Sequence, residues 1–203
     1  MQPFVHLHVH TQYSLLDGQA SVDALIEKAI SDNMPAIAVT DHGNMFAVKD
    51  FFNKVNKKNS KYKGTIADCE KELDALLSKK GESEDDDERI RKLSEKITDC
   101  KSKLFKPIIG CECYCARNGR FVKEGRENLN GYHLVVLAKN FKGYKNLIKL
   151  VSLAWTEGFY GKPRIDKELL ERYHEGLIVS SACLGGKIKR FTRQTRLISM
   201  PSV

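Results

Sequence analysis

No apolar run in this chain of 203 residues approaches the roughly 18–20 residues that a membrane span needs. The start MQPFVHLHVH also lacks the basic, apolar, then small-residue order of a secretory signal. A cytoplasmic location with no membrane partner is the expectation. Six cysteines, Cys69, Cys100, Cys111, Cys113, Cys115 and Cys183, stand in a chain too large and too rich in Lys and Glu for a disulfide-stapled scaffold, so reduced thiols are expected. Against these absences, a 41% hydrophobic content and the chain length are enough for one domain with an insertion and a buried core, which excludes disorder throughout. The net charge of +8 suggests a polyanionic partner such as nucleic acid. Residues 187–203 contain no acid, however, and carry +5 through Lys187, Lys189, Arg190, Arg193 and Arg196, which leaves only +3 for the rest.

Alternation over Phe4–His10 predicts a first strand, followed by a loop to Gln19. Ser21 then caps a helix whose apolar positions Val22, Leu25, Ile26, Ala29 and Ile30 keep helical spacing until Asn33 and Pro35. Further strands are expected at Ala36–Thr40, Lys106–Cys115, Tyr132–Ala138 and Gly176–Ser181. Helices are expected over Met45 to about Lys58, Tyr144–Glu157 and Lys167–Tyr173. Strands alternating with helices argue for a parallel α/β architecture, open or barrel-like, with ligands at the C-terminal ends of the strands.

Between Lys54 and Lys103 this rhythm breaks. Ile66, Cys69, Leu73 and Leu76, then Ile90, Leu93, Ile97, Cys100 and Leu104, recur at spacings of three and four, and the acidic residues Glu82 and Glu84–Glu88 separate the two sets. Pairing 66 with 104, 69 with 100, 73 with 97 and 76 with 93 keeps the total of residue numbers constant to within one, as two antiparallel helices about one turn require. An inserted αα-hairpin at 54–105 follows, with the acidic run as a solvated turn and Cys69 facing Cys100 in the seam.

The chemistry-bearing residues sit at strand ends. His6, His8 and His10 alternate, and imidazoles at i and i+2 are spaced to hold one or two metal ions, although such pairs also occur on ordinary half-exposed strands. Asp41 and His42 follow the second strand; Asp41 either faces the same pocket or caps the next helix. Glu112 interrupts an otherwise buried strand, where a carboxylate needs a cation or hydrogen bonds to compensate its burial. Cys111, Cys113 and Cys115 occupy the opposite face and read as packing. His133 opens the fourth strand and Cys183 closes the fifth, so that with Asp17 metal-capable groups stand near the end of every expected strand. Lys162 and Arg164 are candidate phosphate contacts, with solvated loop cations as the alternative.

The runs HLHVHTQYSLLDG (6–18), AVTDHGN (38–44), KPIIGCE (106–112), YHLVVLAKN (132–140), GFYGKPRID (158–166) and SACLGG (181–186) resemble the polymerase-and-histidinol-phosphatase (PHP) domain at the N-terminus of bacterial DNA polymerase III alpha subunits. The likeness runs over 1–186 apart from the hairpin. It implies a distorted (β/α)7 barrel with two or three manganese, zinc or iron ions at the strand C-termini. On this chain the implied ligands are His8, His10, Asp17, His42, Glu112, His133 and Cys183, with Asp41 as a catalytic residue; His6 stands where other members often carry an acid. The implied activity is metal-dependent phosphoester hydrolysis, such as a 3′–5′ exonuclease, or else a scaffold role docking a proofreading subunit of the replicase on DNA. A polymerase palm does not fit in 203 residues. The family's last Asp-x-His motif has no counterpart, and 187–203 matches none of its motifs, so a barrel truncated at the C-terminus is expected.

Overall fold

The computed structural model describes residues 4–78 and 84–182; Cys183, Glu82 and the basic segment 187–203 lie outside the described residues. The chain divides into two compact units. One is built from Asp23–Ile37 and Lys49–Pro107, the other from His6–Val22, Ala38–Val48 and the chain from Ile108 onward.

The first unit is mostly helical. Helix α1 (Val22–Ser31) buries Ile26 and Ala29, as its apolar spacing requires. The helix expected to end near Lys58 and the first arm of the hairpin are one element, α2 (Val48–Ser78), because no proline interrupts the 31 residues. Helix α3 spans Glu84–Ser102. Ile66, Cys69, Leu93, Ile97 and Cys100 form one buried apolar cluster, with Leu73, Leu76 and Leu104 packed on it. The acidic run is not a turn throughout: Asp85–Glu88 open α3, where carboxylates oppose the positive end of the helix dipole. Asn59 closes the unit by donating to Phe105 O (2.8 Å) and accepting from Phe105 N–H (3.0 Å).

The second unit holds most of the sheet that positions the site. Strands β1 (Ala36–Val39), β2 (Lys106–Cys115), β3 (Tyr132–Ala138) and β5 (Leu177–Ser181) lie in the order β1-β2-β3-β5, and the two-residue β4 (Arg164–Ile165) pairs with β2. The expectation of a wholly parallel sheet does not hold. β3 runs antiparallel to both β2 and β5, and β4 is parallel to β2. Only a single 3-10 turn (Arg126–Asn128) lies between β2 and β3, so the chain doubles back without a crossover helix. The architecture is mixed α/β, with five strands and five α-helices among the described residues.

Helices α4 (Phe141–Thr156) and α5 (Lys167–Tyr173) bury Leu147, Leu150, Ala154 and Leu169 in a core with Cys111, Cys113, Val136 and Ile165. The cysteines of β2 thus pack on the face away from Glu112, and burial pushes the Cys115 thiol up to about 12. Asn140 and Asp166 cap the two helices, accepting from Gly143 N–H (2.9 Å) and Leu169 N–H (3.1 Å).

The expected first strand is absent. Residues 4–10 bend at Leu7–His8 and reach only part of a ladder: Ala38 N–H donates to His6 O and Thr40 N–H to Val9 O, while Val9 N–H turns to the Thr40 hydroxyl (2.8 Å). A side-chain oxygen has replaced the carbonyl a strand would use, and the histidines are released from strict alternation.

Candidate metal centre

Glu112 is the hub. Its position on β2 is opposite Val135, which places His133, two residues earlier on β3, diagonally on the same face. The carboxylate is 1% exposed and four imidazoles surround it. His8 Nε2 lies 3.3 Å and His133 Nδ1 3.1 Å from Oε1; His10 Nε2 lies 3.8 Å from Oε2, which is also in contact with His42 Nδ1. His8 Nε2 and His10 Nε2 are 3.1 Å apart, and the His10 and His42 rings stack at 4.0 Å. His6 is exposed and stays outside the cluster.

Hydrogen bonds behind the cluster fix which ring nitrogens face inward. The Ser14 hydroxyl donates its one proton to Asp41 Oδ1 (2.6 Å), so toward His10 Nδ1, 2.9 Å away, it accepts. His10 therefore carries its proton on Nδ1 and presents a lone pair at Nε2. His42 Nε2–H donates to Asp17 Oδ2 (2.9 Å), leaving the Nδ1 lone pair directed at Glu112 Oε2. Both His42 Nδ1 and Glu112 Oε2 are buried and have no hydrogen-bond partner. Two acceptors in contact repel unless a cation lies with them, so this orphaned pair fits a metal ion. The oxygen and nitrogen donors of His8, His10 and Glu112, all within 4.8 Å of one another, suit zinc, manganese or iron.

Burial, then the neighbouring His42, pushes His10 below its ordinary value, which keeps the ring neutral and able to ligate. The hydrogen bond from His42 likewise holds the Asp17 carboxyl low.

Asp41 is placed behind the cluster, and both its oxygens are engaged: Oδ1 accepts from Thr11 N–H (2.7 Å) and Ser14, Oδ2 from the Thr11 hydroxyl (2.9 Å). It positions the 11–18 loop and, through Ser14, holds the His10 ring. Gly18 closes that loop where a Cβ would sit 1.9 Å from Thr11 O. The expectation for Arg164 is corrected. It is wholly buried, and its guanidinium donates to the carbonyls of Gly158, Asn128, Arg120 and Val122 (2.7–3.1 Å), so it braces the loops and offers nothing to a phosphate. The signal was misread because Lys-Pro-Arg looks like an exposed basic loop; β4 turns the arginine inward.

A cleft of about 810 Å³ opens beside the cluster, lined by His42, His133, Asp17 and Lys162. Arg117 lines it too and was missed by the sequence reading, although a cation two residues past the end of β2 is where a strand-end site would place one. Ser14 was missed as well, since a lone serine in a loop has no sequence signature for holding a histidine tautomer.

The PHP domain family matches residues 6–200, reaching into the basic segment that carried no family motif. The DNA polymerase III subunit alpha of Borreliella burgdorferi is 40% identical over 195 residues, that of Thermus aquaticus 37% over 198, and that of Helicobacter pylori 34% over 185. These alignments cover 95%, 96% and 91% of this chain but only 13%, 12% and 11% of the relatives, so the chain spans about an eighth of their length.

Proposed function

Because the chain belongs to the PHP domain family, we propose that the cluster around Glu112 is a centre for two or three divalent cations, manganese, zinc or iron, that hydrolyses phosphodiesters at a DNA 3′ end as part of a replicase of the DNA polymerase III alpha type. The observation that carries this reading is the buried Glu112 carboxylate facing an orphaned imidazole lone pair. His8, His10, His42, Glu112 and His133 would hold the ions, with Asp17 and Cys183 as the further ligands the family resemblance implies. Divalent cations held there would polarise a phosphoryl oxygen and bring the pKa of a bound water toward neutrality.

The chain's own residues supply orientation. Asp41 and Ser14 hold His10 with Nε2 inward, Asp17 does the same for His42 Nδ1, and Lys162 and Arg117 bring positive charge to the cleft. Elemental analysis of the purified chain, paired with release of nucleotides from a single-stranded oligonucleotide, is the test. Bound metal and 3′ release are expected; no bound metal with His8 and His10 intact overturns the reading.

A second reading, a non-catalytic scaffold that docks a proofreading subunit, draws on the apolar groove of about 440 Å³ that Met45, Phe46, Ile148 and Val151 line. A His8→Ala, His10→Ala double variant that loses hydrolysis yet keeps a partner bound separates the two roles.

A further inference from the structure

Away from its histidines the cleft changes character. Trp155 and Phe159, at and just beyond the end of α4, stack with ring centroids 5.5 Å apart and planes 16° apart, and each is 45% exposed. The Trp155 ring is not loose: its Nε1–H donates to Gly43 O at 2.8 Å, one residue after His42. Gly43 itself adopts φ 59°, and a Cβ there would lie 2.6 Å from Pro163, so the strap carrying the tryptophan's acceptor is closely fitted. Phe46, Leu15 and Leu16 line the same cleft with exposed side chains, while Arg117 and Lys162 supply its cations over the Tyr132 and Tyr114 rings. A flat, anchored aromatic surface left open to water beside a cationic, metal-suited floor fits a ligand that joins an anionic phosphodiester to a planar ring. A small phosphate monoester would leave that surface uncovered; a nucleotide covers it.

We propose that the Trp155–Phe159 pair is a stacking platform for the base at the 3′ end of single-stranded DNA, holding the terminal nucleotide so that its phosphodiester reaches the Glu112 cluster. The proposal rests on the reading of that cluster as a phosphodiesterase centre. A terminal base in a duplex is held by its pairing and by stacking on its inner neighbour, and reaching the platform costs both, so the platform selects unpaired ends over paired ones.

Trp155 is the only tryptophan in the chain, so its fluorescence reports on the platform directly and without turnover. The full chain is titrated with a single-stranded oligothymidylate while the anisotropy of a 5′-labelled copy reports total binding. Saturable quenching is expected, Phe159→Ala weakens the affinity about tenfold, and the same oligomer ending in abasic deoxyriboses binds without quenching. DNA binding with no quenching, equal quenching by the abasic oligomer, or no binding at all overturns the platform. Failure of the phosphodiesterase reading looks different: quenching and its Phe159→Ala dependence persist in a chain that retains no metal and releases no nucleotide.

Discussion

The helical pair α2–α3 and the histidine cluster are two buried arrangements with opposite energetics. In the hairpin every seam residue gains by leaving water, and the partners Ile66, Cys69, Leu93, Ile97 and Cys100 need only match in layers. In the cluster burial works against the groups concerned, since a carboxylate and four imidazoles lose hydration together, and the cost is offset only if each is held in the right protonation state and a cation is admitted. The first arrangement tolerates exchange of one apolar side chain for another of similar size; the second does not tolerate a change at its hub.

Removing the hub breaks that contrast most sharply. Glu112→Ala is expected to lower metal affinity more than about a hundredfold and abolish hydrolysis, read by elemental analysis and a phosphodiesterase assay, with circular dichroism showing the helices intact. Bound metal at the wild-type level would mean that the imidazoles alone suffice. In the hairpin, Ile97→Ala should cost about 2–4 kcal/mol by urea unfolding and leave metal content unchanged; a variant that also loses metal would erase the distinction between the regions.

A finer probe is Asp17→Asn. Asp17 holds the His42 ring and is itself one of the proposed further ligands, so removing its charge should cost about tenfold in metal affinity, less than Glu112→Ala, and an unchanged affinity would take it out of both roles.

The smallest effect concerns a buried charge that needs no metal. Burial raises the Asp166 carboxyl, but hydrogen bonds from Leu169 N–H and Arg120, with the Arg120 guanidinium at 3.0 Å, outweigh it and hold the group below its ordinary 3.8. A carboxyl depressed in the folded state stabilises above its unfolded value and loses that contribution as pH falls through the folded one. Unfolding midpoints should therefore drop below about pH 3.8 in the wild type and less steeply in Asp166→Asn.

Local pattern carried β2, β3 and α5 to the residue, because each is bounded by a change of periodicity or a capping side chain such as Asp166. It failed where an element depends on a partner distant in sequence. Residues 4–10 alternate like a strand, yet the Thr40 hydroxyl takes the place of a ladder carbonyl. Arg164 reads as a surface cation, yet four carbonyls from two connections, 116–131 and the one after α4, converge on it. The antiparallel return of β3 is likewise invisible in alternation, which is the same for either sense of pairing.

By itself the sequence determined the helices, the hairpin seam and the residue types able to ligate metal, because periodicity and side-chain chemistry are properties of a short stretch of chain. Only the tertiary structure decided which of those residues meet. Glu112, His133, His42, His8 and His10 come from four separated stretches, and the β2–β3 register, together with the Asp41–Ser14–His10 relay, brings their lone pairs to one point. That decision is physical: a buried carboxylate is stable only where the fold supplies compensating groups from several directions at once, and no local stretch of sequence can do so.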